Sequence, residues 1–327
     1  MNKFAKSLYE HFSQYLIILF LILASFNLIA QDSDESEYIE SVTIIGSKED
    51  LKNLAGSGAI ISNEDLQKAM DTDIQKILSA VPGLYMRTEE GYGLRPNISI
   101  RGTAIERSGK ITIMEDGVLV APAPYTASSA YYFPTTGRIH AVEVLKGPSA
   151  VPLGPQSIGG AINLISTPIP KVASGKFIQE IGENGMTRTH TYYGASQGNF
   201  GALVEIHEHA SDGYDSIANV GGDTGFDKSD LMIKANYTSG NHSLTFKRVD
   251  LDETSNQSYV GLSQASFNAN PRMRYGATAY DKMMNDGEQT SLTYEGSFNN
   301  FDVRFTSWQN DYHRDWFKVS DFNNDSE

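Results

Sequence analysis

Residues Gly147 to Ser166 read GPSAVPLGPQSIGGAINLIS, four glycines and three prolines leading into an apolar run. Glycine at that density marks positive φ or close backbone approach, and a phosphate cradled by main-chain N–H groups is one chemistry that needs it. No lysine follows the glycines, however, as a P-loop requires. His207 and His209 lie two apart, so on a strand they share a face, where they offer a metal two imidazoles or simply make a polar lining. There is no HExxH, no GxSxG and no EF-hand series. The chain has no cysteine, which excludes disulfides, thiolate metal sites and a cysteine nucleophile. What is left is binding chemistry. Arg87, Tyr92, Arg95 and Arg101 fall in one loop-rich stretch, Tyr125, Tyr131 and Tyr132 in a second, and Arg272 and Arg274 in a third. Guanidinium forks suit polycarboxylates, which they grip with paired hydrogen bonds. No residue is assigned a catalytic role, and no metal site or resident cofactor is expected.

The gross composition narrows the partners. With 26 basic and 40 acidic side chains the formal net charge is −14, so most of the surface repels a phosphate backbone and no nucleic-acid partner is expected. The start is basic (MNKFAK), the run Tyr15 to Ala30 is apolar, and QDSDESEYIE follows at once. This is the layout of a secretory signal over residues 1–30, cleaved near Ala30. The alternative, an uncleaved anchor, calls for about 20 apolar residues, and the run is shorter. After the signal is removed no long apolar helix remains, leaving a protein that is soluble outside the cytoplasm or a membrane barrel.

Residues 31–52 are acidic and flexible except for ESVTIIGS (40–47), whose Val42, Ile44 and Ile45 have no use in a solvated tail. Such a patch suits strand addition to a partner's sheet edge, or it is the first strand of the following unit. Residues 53–170 read as a compact α+β unit. Thr72 and Gln75 have capping-box spacing, and Ile74, Ile77, Leu78 and Val81 recur at helical spacing until Pro82 and Gly83. Strands are expected at Ile98–Gly102 and Ile139–Gly147, and a hairpin at KITIMEDGVLV around Asp116 and Gly117.

From residue 171 to 327 the texture changes to alternating segments of about ten residues. In FGALVEIHE, Phe200, Ala202, Val204 and Ile206 share one face, and Leu203, Glu205 and His207 the other. DLMIKANYTS, TSLTYEGSF and FDVRFTSW repeat the pattern, about seven strands in all, joined by tight turns and by long loops such as Asp250 to Gly287. That turn asymmetry belongs to outer-membrane barrels, and a soluble β-sandwich has the same period. A closed barrel needs an even number of strands and no free edge in lipid, so on the barrel reading these residues are the N-terminal part of a longer protein.

PGLYMR, ISIRGT, ITIMEDGVLV, IHAVEVLKGPSA and GPQSIGGAINLIS occur in the order found in TonB-dependent outer-membrane receptors, and the chain resembles that family. GPQSIGGAIN followed by TPIP, the APY after the hairpin and a GLS in the long loop are similar to its ferric dicitrate subgroup. No signalling domain separates Gln31 from ESVTIIGS, so the resemblance carries transport and not transcriptional control. It implies an α+β plug inside a transmembrane antiparallel barrel of about 22 strands, located in the outer membrane, and no enzymatic activity. ESVTIIGS is similar to a TonB box, with Val42, Thr43, Ile44 and Ile45 pairing with TonB, which works with ExbB and ExbD. The implied cargo is an iron chelate, ferric citrate or a related siderophore, with iron present only as chelated cargo. Cobalamin, a glycan, or a TonB-independent adhesin or enzyme are the alternatives. A monomer surrounded by outer-membrane lipid is expected. Substrate contacts are implied at Arg87, Tyr92, Arg95, Arg101, Tyr125, Tyr131, Tyr132, Arg272 and Arg274, with Arg101 either a ligand contact or a lock to barrel glutamates. Gly154, Gly159 and Gly160 become structural, placed where a Cβ would clash with the barrel wall or with the plug folding back on itself.

Overall fold

A computed structural model describes residues 43–45, 50–120 and 132–320. The expected signal segment, Val42, Tyr125 and Tyr131 lie outside the described residues.

The first unit is built on a five-stranded sheet. Its strands are β1 (Ser57–Ile61), β4 (Ile111–Glu115), β5 (Val118–Leu119), β6 (Ile139–Lys146) and β7 (Gly160–Ser166), in the order β1-β6-β7-β4-β5. The β4–β7 pairing is parallel and the rest antiparallel. Asp116 and Gly117 have φ of 50° and 75°, the two left-handed residues that a tight hairpin between β4 and β5 demands. A short ribbon of β2 (Leu84–Arg87) and β3 (Asn97–Ile100) stands beside the sheet. The helix Ile74–Ser79 buries Ile74, Ile77 and Leu78 against Ile98, Ile113, Val144 and Ile162, which is why its apolar residues recur every third or fourth place. Its cap is Asp73, whose carboxylate accepts the Gln75 N–H at 2.8 Å, and not Thr72. The true capping box is one helix earlier, Ser62 with Asp65 ahead of Asn63–Ala69, where an aspartate stands in the place usually given to Glu or Gln.

The glycine-rich stretch folds this unit onto itself. A Cβ on Gly160, at φ 147°, would overlap the Leu145 carbonyl, Gly154 faces the Thr112 side chain, and Gly159 faces Thr103, Ile111 and the Lys110 carbonyl. The expected clash with a surrounding wall is therefore corrected, because all three neighbours belong to the same unit. Gly137 does meet the wall, where a Cβ would run into the His207 ring, and Gly91 meets the Tyr214 hydroxyl.

The second body is a seven-stranded antiparallel sheet of β8 (Ser174–Ile181), β9 (Thr187–Gln197), β10 (Phe200–Ser211), β12 (Phe226–Ser239), β13 (His242–Ser255), β15 (Lys282–Phe298) and β16 (Phe301–Phe317). Between them β11 (Ser216–Ile217) and β14 (Met273–Arg274) tie two loops together in parallel. At one end the connections are the two-residue turns 198–199, 240–241 and 299–300; at the other they are the five-residue turn 182–186 and the long segments 212–225 and 256–281. The loop expected from Asp250 to Gly287 is thus shorter, since strand continues at both its ends. Arg248, Asp250 and Glu288 hide this in the sequence by charging the outer face, where Arg248 pairs with Asp250 at 2.7 Å and Glu288 at 2.8 Å.

Burial decides between barrel and sandwich. Along β10 the buried side chains are Leu203, Glu205 and His207, while Phe200 is 67% exposed. Along β12 Lys228, Asp230 and Lys234 are buried and Tyr237 is exposed. A sandwich buries the apolar face of its strands; this sheet buries the polar one and turns Leu244, Phe246, Leu292 and Phe305 outward. Phe200, Tyr237, Leu244, Tyr294 and Phe305 follow one another across the strands, a row aromatic at four of its five places and beside the tight turns, such as marks a membrane interface.

The polar wall and the first unit are joined by buried charge. Arg138 forks onto Glu115 at 2.6 and 3.0 Å. From the wall, the Lys247 ammonium donates to both Glu115 and Asp116 at 2.6 Å, Lys234 donates to the Thr167 carbonyl at 2.9 Å, and Lys228 donates to the Phe133 carbonyl at 3.0 Å. Burial pushes both carboxyls up, yet the surrounding cations outweigh it, holding Glu115 at about 2 and Asp116 well below the usual carboxylate range.

Three outcomes follow for the full-length protein. Leu292→Arg places a guanidinium on the lipid face and is expected to cost about 2–4 kcal/mol if the site is near mid-bilayer, read by unfolding titration in bilayers. Lys247→Met leaves buried carboxylates short of a counter-charge and should destabilise by about 3–5 kcal/mol, read by denaturant midpoint and by protease access to the first unit. Because folding depresses the Glu115 pKa, its stabilisation is complete above the ordinary carboxyl range and is lost only as pH falls toward about 2. Proteolysis across an acid titration should therefore find the unit still seated well below the pH at which free carboxylates protonate.

Candidate functional site: a cavity at one end and a docked segment at the other

A cavity of about 840 Å³ opens at the long-loop end, between the 89–95 loop of the first unit and the segments 256–262 and 271–274. Glu90 organises its floor, accepting the main-chain N–H groups of Tyr92, of Gly93 at 3.0 Å and of Arg95 at 2.9 Å. Burial pushes the Glu90 carboxyl up, and those amides oppose the shift. The ring of Tyr92, thus fixed, packs on Tyr214 and Phe226 at centroid distances of 5.3 and 4.8 Å.

Arg95 lines this cavity but is spent on the wall: one amino group bonds Glu253 and the other Gln257 at 2.9 Å. Arg274 is also buried there, its donors taken by the Asn256 and Thr278 carbonyls and the Thr278 hydroxyl. Arg272 lies over the Tyr214 ring at 5.2 Å. So the structure gathers Tyr92, Arg95 and Arg274 around one space, with Arg272 behind Tyr214.

The remaining expectations fall elsewhere. Arg87 is exposed and pairs with Glu106 at 2.7 Å. Arg101, in left-handed backbone at φ 55°, donates to the Ser57 hydroxyl at 2.9 Å within its own unit; among the described residues Arg95 and Arg138 make ion pairs with the wall, at Glu253 and Asp230. Tyr132 is buried in the core, stacked on Tyr312 at 5.1 Å and bonded by Arg138 at 3.3 Å. His207 is fully buried beside His190 and Gly137, and no cluster of three metal-ligating side chains occurs among the described residues.

Sequence reasoning missed Tyr214, Tyr259, Trp316 and Lys318, all on the cavity wall. Lys318 sits with its ammonium 3.5 Å from the Tyr259 ring centroid and 4.1 Å from that of Trp316. The alternation along β16 was a signal for a strand, but the loop that brings Tyr259 to it is far away in the chain.

At the opposite end, near the tight turns, Thr43–Ile45 is docked. The N–H groups of Ile44 and Ile45 each donate to one Glu143 carboxylate oxygen at 2.8 Å, and Arg304 of β16 donates to the Thr43 carbonyl at 2.9 Å. Ile45 is buried with Met114, Leu145, Ala150 and Ala161.

Comparison with known proteins agrees with this arrangement. Residues 50–161 match the family model described as TonB-dependent Receptor Plug Domain. The iron-regulated outer membrane virulence protein of Vibrio cholerae serotype O1 is 30% identical over 151 residues, covering 44% of this chain and 22% of that protein. The vitamin B12 transporter BtuB of Photobacterium profundum is 23% identical over 304 residues, covering 85% and 48%. Among solved structures, the unliganded ferric citrate transporter FecA aligns with a TM-score of 0.70 at 21% identity, over 86% of this chain and 43% of that one. The ferric yersiniabactin uptake receptor FyuA of Yersinia pestis aligns at 0.68 and 18% identity, over 81% and 42%. The chain spans less than half the length of each of these proteins. Residues 50–161 thus match the TonB-dependent receptor plug domain, and the chain, its seven-stranded sheet included, shares the fold of the ferric citrate transporter and ferric yersiniabactin receptor structures.

Proposed function

We propose that this chain belongs to an outer-membrane importer that takes up an iron chelate, ferric citrate or a related siderophore, with energy delivered by TonB together with ExbB and ExbD. The observation that carries the reading is the division of labour between the two ends of the plug: a cavity among the long loops and a docked extended segment beside the tight turns. Fold-level likeness to a ferric citrate transporter and a ferric yersiniabactin receptor supports the choice of cargo.

The outer membrane holds neither nucleotide nor a maintained ion gradient, so uptake against a concentration difference needs work supplied from elsewhere. A chain segment that can be gripped is the simplest means. Val42, Thr43, Ile44 and Ile45 are the proposed grip, by strand addition to TonB. Docking opposes this, because Glu143 occupies the two N–H groups that a partner strand would need. Gripping therefore requires the segment to leave the carboxylate and the apolar nest around Ile45, an order-to-disorder change of the kind used in switches.

Ile44→Pro removes one of those donors. In the full-length receptor it should reduce uptake of radiolabelled ferric citrate to the level of a strain lacking TonB while equilibrium binding of the chelate stays unchanged. Uptake at the wild-type rate would remove Ile44 from the grip, and uptake that persists without TonB would point to a TonB-independent barrel.

A further inference from the structure

The cavity has an electrostatic pole that none of the expected ligand contacts supplies. Three of its four arginines are committed to protein acceptors: Arg95 to Glu253 and Gln257, Arg107 to Glu89 at 2.8 Å, and Arg274 to main-chain carbonyls. Lys318 is different. Its ammonium rests on the faces of Tyr259 and Trp316, with no carboxylate in ion-pair range among the described residues, and Arg314 lies over the same Trp316 ring at 5.7 Å. Ring faces attract and position a cation without cancelling its charge as a carboxylate does.

A second observation points the same way. Three buried atoms on residues lining the cavity have no hydrogen-bond partner: Nε of Arg95, Nε2 of Gln257 and Nε1 of Trp316. All three carry N–H donors and none is an acceptor. The Gln257 assignment is fixed, because its carbonyl oxygen already accepts from Arg95. Unpaired buried donors are costly, and a wall that holds three of them beside an uncompensated ammonium is complementary to a ligand rich in negatively charged oxygen.

We infer that Lys318, held by Tyr259 and Trp316, is the charge-selecting residue of this cavity, and that the cargo presents anionic oxygens to it. This rests on the import reading above but adds a residue and a sign. Polycarboxylate and catecholate chelates share that chemistry, whereas neutral hydroxamate chelates do not have it.

The test is equilibrium binding to purified full-length receptor, wild type against Lys318→Met and Lys318→Arg, with four probes: ferric citrate, a ferric tricatecholate, a neutral ferric trihydroxamate and neutral cyanocobalamin. Wild type should prefer one of the two anionic chelates. Lys318→Met should weaken that chelate about 10- to 100-fold, as expected for losing one charge-assisted hydrogen bond, and flatten the salt dependence of its Kd. Lys318→Arg should restore most of both, which a merely structural role for the ammonium would not predict for the salt slope. Which anionic chelate binds separates carboxylate from catecholate. Tightest binding of the trihydroxamate overturns the inference and leaves iron uptake standing. Tightest binding of cyanocobalamin, or of no probe, overturns both. An anionic chelate bound equally well by Lys318→Met overturns the inference alone.

Discussion

A strand that crosses hydrocarbon has one face that lipid can cover and one that it cannot, and the second face governs this molecule. Lys228, Asp230, Lys234, Lys247, Glu205 and Glu253 all point to that side and are nearly inaccessible to water. Buried charge is tolerated only when paired and hydrogen-bonded. The plug supplies what is missing: carboxylates at Glu115 and Asp116, and carbonyls at Phe133 and Thr167. An apolar interface of the same size would have been at least as stable. It would also have held the two bodies together by surface that water cannot replace. A charged interface can exchange each protein partner for water at modest net cost.

The same groups connect the two ends. From the cavity, Arg95 bonds Glu253, which lies 3.6 Å from Lys228, and Lys228 bonds the Phe133 carbonyl. Two residues on, Thr135 bonds Asp230, which faces Arg138 at 3.7 Å, and Arg138 forks onto Glu115. Beyond the hairpin turn the Gly117 N–H donates to Asn163 at 2.9 Å, Asn163 donates to Glu143 at 2.9 Å, and Glu143 holds Ile44 and Ile45. Contiguity alone transmits nothing. These members, though, are mostly buried charges and amides in a low dielectric, so displacing one leaves its neighbour unsatisfied. That is an energetic reason for a disturbance at Arg95 to be felt at the next pair.

The fold was legible in the sequence where local chemistry dictates it. The Asp116–Gly117 hairpin, the helix after Asp73 and the alternation of β10, β12 and β15 each follow from a local rule of turn, periodicity or pleat. Which face of the alternation is buried was not legible, because a sandwich and a barrel share the period, and only the burial of Lys234 or Glu205 separates them. Strand ends were lost where Arg248, Asp250 and Glu288 charge the outer face. Of the site, Tyr92 and Arg95 could be found as polar residues in an irregular loop. Their consumption by Phe226 and Glu253 could not, since those partners lie more than a hundred positions away in the chain.

That last failure has a physical pattern. Arg95 and Arg274 looked like ligand contacts by type, and each is fixed to protein acceptors. A guanidinium carries five donors in a rigid plane, so it gains most where acceptors are equally rigid, as on a strand wall or a capped loop. An ammonium is a compact charge with rotatable donors, adaptable to an acceptor that arrives and leaves. Resting on Tyr259 and Trp316, Lys318 is held in place by ring faces that accept no hydrogen bond of comparable strength. Among the described residues its donors therefore remain available, and in a cavity where Arg95, Arg107 and Arg274 are already engaged the lysine sets the sign of what can enter.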